Sequence, residues 1–388
     1  MAPIERSRTC EGGFAIDLEG ALSFQDSILQ GVSRTFALTI PSLPEALRVP
    51  VTNAYLLCRI ADTIEDDAEA SPLRKQQWAA QFVEVLAGAA DASAFGRSLA
   101  PKLGPATLAD ERRLIEHTDR VVQVTHSFDD VQRHALERCV RLMSAGMHRF
   151  QQQAGAQGLP RMRDLELYCY FVAGVVGEML TELFCAFDPQ IAARRAALLR
   201  LAPSFGQGLQ MTNILKDIWD DHARGICWLP RETFGLDPES RQPLLDGVSP
   251  DQLQQGIRRL AVVAHGHLRN ALEYTLLIPK QQRGIRRFCL WALGMAVPTL
   301  DNIHARSDFR SGDEVKITRP QVRRIVRRYG LVAGNNWLVR SMFRRASRPL
   351  AHSDPSVVER LDSVVNEASS VLEQTHEDSV RETAGAGI

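Results

Sequence analysis

Helical periodicity recurs along nearly the whole chain, and this feature constrains the possible folds more than any other. Apolar residues return at the three- and four-residue spacing of amphipathic helices, whereas alternating β-branched runs and Asn-Gly hairpin turns are rare. The pattern predicts helices over 44–67, 72–88, 110–126, 130–154, 161–187, 203–222, 250–278, 281–306, 320–330 and 355–374. We therefore expect an all-α protein.

A single large domain is the simplest organisation for these helices. No linker-like change in composition divides the middle of the chain, although its 388 residues are enough for two or three domains. We expect one helical bundle over 21–375, flanked by disordered tails at 1–20 and 376–388. The Ala/Gly-rich stretch 87–105 is predicted to be a loop.

Composition argues against several classes of protein. The 46 basic and 46 acidic residues balance, so no net charge draws the chain to nucleic acid. Seven widely spaced cysteines without a CxxC pair favour a reducing compartment over a disulfide scaffold or a zinc site. The longest charge-free apolar run, 288–300, is shorter than the roughly 20 residues that span a bilayer, and the N-terminus lacks a signal-peptide core. We expect a cytoplasmic protein without a transmembrane helix or a nucleic-acid partner.

An acidic cluster lies at the end of the helix predicted over 44–67. Asp62, Glu65 and Asp66 occupy positions i, i+3 and i+4, which places three carboxylates on one helical face. Arg59 lies one turn earlier on the same face and supplies a single positive charge. Because like charges at this spacing repel, the cluster requires a further cation.

The same spacing returns 155 residues later, in Asp217, Asp220 and Asp221. The polar face continues backwards through Asn213 and Gln210 on a helix that is otherwise apolar. Carboxylate and amide oxygens suit Mg²⁺, which also takes phosphate oxygens from a substrate. A solvated acidic helix end is the simplest explanation of one such cluster, but two clusters favour a metal-binding site.

Two facing acidic helices suit a reaction in which a diphosphate leaves. Metal ions held by the carboxylates neutralise the charge that develops on the leaving group. The carbon left behind is a carbocation, which water would quench. Such a site therefore also needs a closed apolar cavity, and the middle of a helical bundle can provide one.

Four segments of the chain resemble the squalene and phytoene synthases, a family of all-helical enzymes that condense prenyl diphosphates. These segments are 33–36, 55–67, 168–177 and 210–221, and the resemblance extends over most of 24–325. It implies an isoprenoid synthase fold, in which one large helical bundle surrounds a central apolar cavity.

Three segments favour the squalene synthase branch of this family: the acidic motif 62–67, the late helix around 288–300 and the segment 315–317, which resembles one associated with NADPH. Thr318 stands where a basic residue is common, and Arg319 follows it. This branch joins two farnesyl diphosphates head to head to presqualene diphosphate, which NADPH then reduces to squalene. The same fold without hydride transfer would yield phytoene, dehydrosqualene or hydroxysqualene, and that alternative stays open, as does a non-catalytic lipid-binding relative.

The resemblance also implies roles for individual residues. Mg²⁺ would be bound by Asp62, Glu65, Asp66, Asn213, Asp217 and Asp221. The substrate would be bound by Ser33, Arg34, Thr35, Phe36, Gln210 and Phe288, with Ser33, Arg34 and Arg59 on phosphate oxygens. The cofactor-binding residues would be Arg34, Arg59, Lys316 and Arg319, with Lys316 on an NADPH phosphate. The catalytic residues would be Tyr168, Tyr55 and Arg59. The hydroxyl of Tyr168 would remove the proton that is lost when the cyclopropane forms.

Two further features each allow two interpretations. Gly174 and Gly177 cost about 1 kcal/mol each in a helix, and they provide either room for a prenyl chain or close helix packing. The stretch 319–348 holds nine arginines and no acids, with Arg323 and Arg327 on one helical face. This stretch contacts an anionic membrane surface peripherally, or it is a solvated face that pairs with the acidic C-terminal segment.

Overall fold

The computed structural model describes residues 17–151, 153, 155–350, 357, 360–368 and 370, without the side chains of Arg34 and Pro349. Within this part of the chain the only strand-like pairing is an isolated bridge between Leu159 and Pro230. All regular structure there is helical, so the all-α prediction is confirmed. The remaining residues, including 1–16 and 371–388, lie outside the described part.

The first half of the bundle consists of α1 (Leu18–Val32), α2 (Arg34–Thr39), α3 (Glu45–Asp66), α4 (Pro72–Leu86), α5 (Ala92–Leu99), α6 (Ala109–Glu116), α7 (Thr118–His126) and α8 (Asp130–Gln151). The second half consists of α9 (Met162–Cys169), a π-helical turn (Tyr170–Gly174), α10 (Val175–Phe187), α11 (Pro189–Ala192), α12 (Arg195–Lys216), α13 (Ile218–Ala223), α14 (Pro250–Leu277), α15 (Arg283–Ala305), α16 (Arg319–Val332) and α17 (Asn336–Ala346).

Five helices lie where none was predicted: α1, α2, α5, α11 and α17. Helix α1 begins at Leu18, inside the tail predicted over 1–20, because the Asp17 carboxylate accepts a hydrogen bond from the Gly20 amide at 2.8 Å. Helix α5 lies within the predicted loop 87–105, where Phe95 and Leu99 are buried. The Ala/Gly content of that loop concealed a short amphipathic helix, so the loop prediction was wrong there.

Helix α12 is the central element of the bundle and packs against α10, α14 and the π-helical turn. A Cβ atom at Gly206 of α12 would overlap with the carbonyl oxygen of Ala173 in that turn, and one at Gly177 would overlap with the carbonyl oxygen of Ala202. Gly177 thus allows close helix packing, the second of its two interpretations, although it also borders the central cavity. The glycines bring the backbones of these helices into direct contact.

One helical stretch among the described residues, Met162–Phe187, is long and apolar enough to cross a bilayer by length and composition alone. It is not a charge-free run, because it contains acidic residues such as Glu166 and Glu178. It packs against α8 and α12, and half of its most apolar window is buried. Its composition is therefore explained by its place in the core of the bundle.

Candidate active site

A cavity of about 660 Å³ lies in the middle of the bundle. Its wall is mainly apolar and comes from α2, α3, α8, α10, α12, α14, α15 and α16 together with the π-helical turn. The ring of Phe288 lies 6.2 Å from that of Phe36 and 6.5 Å from that of Phe184, measured between centroids. Asn213 and Lys316 also line the cavity and are exposed to solvent, so they mark its open side.

The first acidic motif forms the C-terminal end of α3 beside this opening. Asp62 lines the cavity, Glu65 is half-buried and Asp66 is exposed. Burial raises the pKa of Asp62 to about 7, and the nearby Asp66 and Glu111 carboxylates act in the same direction. Burial and the same kind of repulsion hold the pKa of Glu65 well above its usual range. Burial is thus the main cause of the raised pKa values in this motif.

Arg59 is held in place by two residues that do not belong to the acidic motif. Its Nε and Nη2 atoms donate to the Tyr55 hydroxyl at 3.3 Å, and that hydroxyl donates to the Val32 carbonyl oxygen at 2.8 Å. Its Nη1 lies 3.6 Å from a carboxylate oxygen of Glu111 on α6. Tyr55 thus acts as a positioning residue for Arg59, and Glu111 is a member of the site that the sequence analysis missed.

Lys75 on α4 is a second residue that was missed. Its Nζ donates to the backbone carbonyl oxygen of Glu65, and its positive charge lowers the pKa values of both Glu65 and Asp66. Burial lowers the pKa of Lys75 itself. No local pattern connects α4 or α6 to the acidic motif, so only the three-dimensional structure could reveal these residues.

The second acidic motif lies at the junction of α12 and α13. The predicted helix 203–222 is interrupted at Asp217, whose φ of −100° and ψ of 14° depart from helical values. The carboxylate of Asp217 lies 2.9 Å from Lys216 Nζ, and Asp221 is buried and pairs with Arg224. This motif therefore carries its own cations, whereas Asp220 is exposed.

Arg224 connects the two acidic motifs electrostatically. It forms an ion pair with Asp221, and its charge also lowers the pKa of Asp66 in the first motif. An effect of this kind requires short separation. Asp62 of α3 and Asn213 of α12 also line the same cavity, so the two acidic helix ends lie at the same side of the bundle.

Tyr168 lies beside the first motif rather than in the cavity wall. It is buried, and its ring stacks on that of Trp228 with centroids 4.0 Å apart and an angle of 9°. Burial, together with the charges of Glu65, Asp66 and Asp62, holds the pKa of its hydroxyl well above the usual value. The hydroxyl therefore stays protonated near neutral pH.

The structure brings most of the predicted site residues together and leaves some apart. The cavity is lined by Ser33, Thr35, Phe36, Tyr55, Arg59, Asp62, Gln210, Asn213, Phe288 and Lys316. The predicted residues outside this lining are Glu65, Asp66, Tyr168, Asp217, Asp221 and Arg319. The side chain of Arg34 lies outside the described part of the chain. The Ser33 hydroxyl accepts a hydrogen bond from the Phe36 amide at 3.0 Å and so caps α2.

The carboxylates of the two motifs suit Mg²⁺ only if substrate phosphates supply some of its ligands. Among the described residues, no group of three His, Cys, Asp or Glu side chains is close enough to hold a metal ion alone. Mg²⁺ normally keeps several waters and uses one or two carboxylates plus substrate phosphates. Burial raises the pKa values of Asp62, Glu65, Asp66 and Asp221, and a bound cation would lower them.

The fold and the site define a class of all-α enzymes that act on diphosphate substrates in an apolar chamber. The sequence model described as squalene/phytoene synthase matches residues 29–321, and the chain belongs to this family. Its fold is similar to that of TcSQS, solved with a bound ligand, at a TM-score of 0.69 and 24% identity over 92% of this chain and 99% of that one. A dehydrosqualene synthase complex gives a TM-score of 0.56 and 20% identity over 85% of this chain and 98% of the other.

Several curated relatives are squalene synthases. The enzyme of Gibberella zeae is 28% identical over 83% of this chain and 67% of its own length. That of Cyberlindnera jadinii is 26% identical over 89% and 75%, and that of Botryococcus braunii is 30% identical over 72% and 57%. The match thus covers between just over half and three quarters of the length of these relatives.

Proposed function

We propose that this chain has squalene synthase activity: it joins two farnesyl diphosphates head to head to presqualene diphosphate, which NADPH then reduces to squalene. The observation that carries the proposal is an apolar cavity of about 660 Å³ with two acidic helix ends beside its opening. This volume lies within the roughly 300–1,000 Å³ of small-molecule sites. The curated squalene synthases that match the chain support the choice of reaction.

The diphosphate would bind to residues at the entrance of the cavity. Arg59 presents a planar guanidinium that suits phosphate oxygens, and Tyr55 and Glu111 limit its movement. Mg²⁺, bound by the carboxylates together with the substrate, supplies charge neutralisation for the leaving diphosphate. Lys316 lies at the same opening, where it and Arg319 would hold the phosphates of NADPH, the source of the hydride.

The aromatic wall protects the carbocation once the diphosphate leaves. Phe36, Phe184 and Phe288 exclude water, and the negative face of an aromatic ring stabilises a nearby cation. Two prenyl chains bound in this chamber keep their reacting carbons away from solvent.

Tyr168 is proposed to relay the proton that is lost when the cyclopropane forms. Its hydroxyl is protonated near neutral pH, so it can accept a proton only by passing its own to a neighbouring group. Glu65 and Asp66 are the carboxylates whose charges act on this hydroxyl, and we propose that one of them receives that proton. Replacing Tyr168 with Phe should therefore slow the first step, and full first-step activity of this variant would refute the relay.

Product analysis tests the proposed function directly. The protein is incubated with farnesyl diphosphate and Mg²⁺, with and without NADPH, and the products are identified by mass spectrometry. We expect presqualene diphosphate without NADPH and squalene with it. One hydrocarbon formed regardless of NADPH would instead indicate the dehydrosqualene or phytoene reaction. A variant with Glu84→Gln, an exposed acid on α4, serves as the control for the acidic-motif variants.

A further inference from the structure

Helices α16 and α17 present a strongly basic surface to solvent. The segment 319–348 contains nine arginines and no acids, so the rest of this charge-balanced chain has nine more acidic than basic residues. Arg340 pairs with Glu273 on α14. The other eight arginines are exposed, and none of them forms an ion pair with another residue in the described part of the chain.

The acidic C-terminal segment does not neutralise this surface as far as the structure describes it. Glu367 pairs instead with Arg149 and Arg163, which lie at a different place on the bundle. Of the other acids in this segment, Asp362 forms no ion pair with a described residue, and Glu359, Glu373, Glu377 and Asp378 lie outside the described part. Within the part of the chain that the structure describes, these eight arginines have no acidic partner, and their charge can attract an anionic surface.

Large apolar side chains project from the same surface. Leu331 near the end of α16 is 81% exposed, and Trp337 at the start of α17 is 69% exposed. Leu331 shares its helical face with Arg324 and Arg328, which lie seven and three residues earlier. Trp337 shares its face with Arg340 in the same way. Arginine heads surrounding exposed Leu and Trp side chains are typical of surfaces that enter the headgroup region of a bilayer.

The opposite face of α16 belongs to the cavity wall. Val322 lines the cavity, and Ile325 and Tyr329 lie where a Cβ at Gly294 of α15 would meet them, at 2.6 and 2.8 Å. The indole N–H of Trp291 on α15 donates to the Val326 carbonyl oxygen at 3.1 Å and fixes α16 to that helix. One helix, about 10 Å thick, thus separates the cavity from the basic surface.

We propose that this docking surface, formed by Arg323, Arg324, Arg327, Arg328, Leu331, Trp337, Leu338, Arg344 and Arg345, binds the surface of an anionic phospholipid bilayer. The guanidinium groups bind lipid phosphates, and Trp337 and Leu331 enter the boundary between headgroups and acyl chains. The benefit of this contact rests on the proposed function, because it brings the chamber that makes an apolar hydrocarbon next to lipid. A nucleic acid would satisfy the arginines but would leave Leu331 and Trp337 in water.

Vesicle flotation tests the proposal with the full chain and no substrate. Vesicles of phosphatidylcholine alone are compared with vesicles that contain phosphatidylglycerol as well, at low and at physiological salt. We expect binding only to the anionic vesicles. Arg324→Glu with Arg328→Glu should weaken it by roughly tenfold or more. Leu331→Ser with Trp337→Ser should weaken it by about tenfold through lost apolar insertion.

Matched controls use equivalent residues elsewhere on the surface. Arg200→Glu with Arg258→Glu changes the charge equally, and Leu73→Ser with Leu108→Ser removes two leucines that are each 63% exposed. Neither control should alter binding. Equal loss in the controls, or no binding to anionic vesicles, would overturn the proposal. Vesicle binding that is unchanged by Leu331→Ser with Trp337→Ser and is displaced by RNA would also overturn the proposal, in favour of a polyanion site.

The test of the docking surface is independent of the test of the proposed function. Lipid binding is measured without substrate, and squalene formation is measured separately in detergent without vesicles. Squalene formed by a chain that does not bind vesicles refutes only the docking surface. Vesicle binding by a chain that forms no squalene refutes only the proposed reaction.

Discussion

The two acidic motifs share one sequence spacing but differ in how their charges are compensated. At the end of α3, burial and mutual repulsion raise the pKa values of Asp62 and Glu65, and the nearby cations do not offset this effect. At the junction of α12 and α13, Asp217 pairs with Lys216, and Asp221 pairs with Arg224. In the part of the chain that the structure describes, the first motif has cations nearby but no direct ion pair, whereas Asp217 and Asp221 of the second motif each form one.

This difference indicates that the two motifs bind a metal ion at different cost. The first motif gains when a cation arrives, because an unfavourable concentration of charge is relieved. The second must give up ion pairs, although partly exposed pairs of this kind contribute only about 0–1 kcal/mol. Equal spacing in the sequence therefore does not mean equal function.

The largest effect should come from removing a charge of the first motif. Asp62→Asn should lower kcat/KM for farnesyl diphosphate by roughly a thousandfold, a loss typical of removing one key electrostatic contact to a developing charge. Asp220→Asn, in the exposed part of the second motif, should cost less than tenfold. Steady-state kinetics of both variants test the comparison, and similar losses would show that the motifs are equivalent.

In the absence of metal ions, Asp62→Asn should raise the stability of the folded protein. The pKa of Asp62 rises from an ordinary carboxyl value near 4 when unfolded to about 7 in the fold, so the native state binds more protons between these values. The contribution of this group to stability therefore falls as the pH rises from about 4 to 7. Asp62→Asn should raise Tm at pH 8 and have little effect at pH 4, as measured by circular dichroism. A lower Tm at pH 8 would contradict this account.

A second substitution tests whether diphosphate binding depends on the residue that positions Arg59 beside the first motif. Glu111→Gln removes the carboxylate that pairs with Arg59 and should weaken inhibition by inorganic pyrophosphate by up to about fivefold, as expected for a partly exposed ion pair. Glu116→Gln changes an exposed acid on the same helix and provides the control. Unchanged inhibition in Glu111→Gln would remove Glu111 from the site.

The pH dependence of metal binding distinguishes the motifs further. With a pKa of about 7, Asp62 is mostly ionised at pH 8 and mostly protonated at pH 6. Because metal ligands must be deprotonated, Mg²⁺ should bind about tenfold more weakly at pH 6 than at pH 8. Calorimetric titration of the protein with MgCl₂ measures this ratio. Asp62→Asn should abolish most of the dependence, whereas Asp220→Asn should retain it.

The smallest effect should come from the cation of the second motif. Arg224→Gln frees Asp221 and removes a charge that also acts on Asp66, so Mg²⁺ should bind up to about fivefold more tightly, in keeping with a surface pair. The same calorimetric titration measures it. Weaker Mg²⁺ binding would show that Arg224 organises the second motif rather than competing with the metal.

The sequence predicted what depends on local spacing. The helices around Asp62 and Asp217, the carboxylates on each face and the apolar surroundings all follow a regular repeat, and these regions are helical in the structure. The family resemblance added the central cavity, which ten of the predicted residues line.

The features that the sequence analysis missed depend on contacts between distant segments. Glu111 lies on α6 and reaches Arg59 only after folding, and Lys75 reaches Glu65 in the same way. The position of Tyr168 behind the cavity wall depends on its stacking with Trp228, 60 residues away. The interruption at Asp217 leaves no mark on hydrophobic periodicity. Such features arise from packing, which a pattern of period 3.6 does not encode.

The wall of the chamber tolerates substitutions differently on two sides, because at Gly206 it is formed by closely packed backbone and elsewhere by aromatic side chains. At Gly206 the neighbouring backbones already touch, so no side chain can be introduced there to alter the space without displacing a helix. Phe184 and Phe288, on the aromatic wall, carry rings that can be shortened while the backbone stays in place. Engineering toward longer prenyl donors should therefore begin with these two phenylalanines and leave Gly206 unchanged.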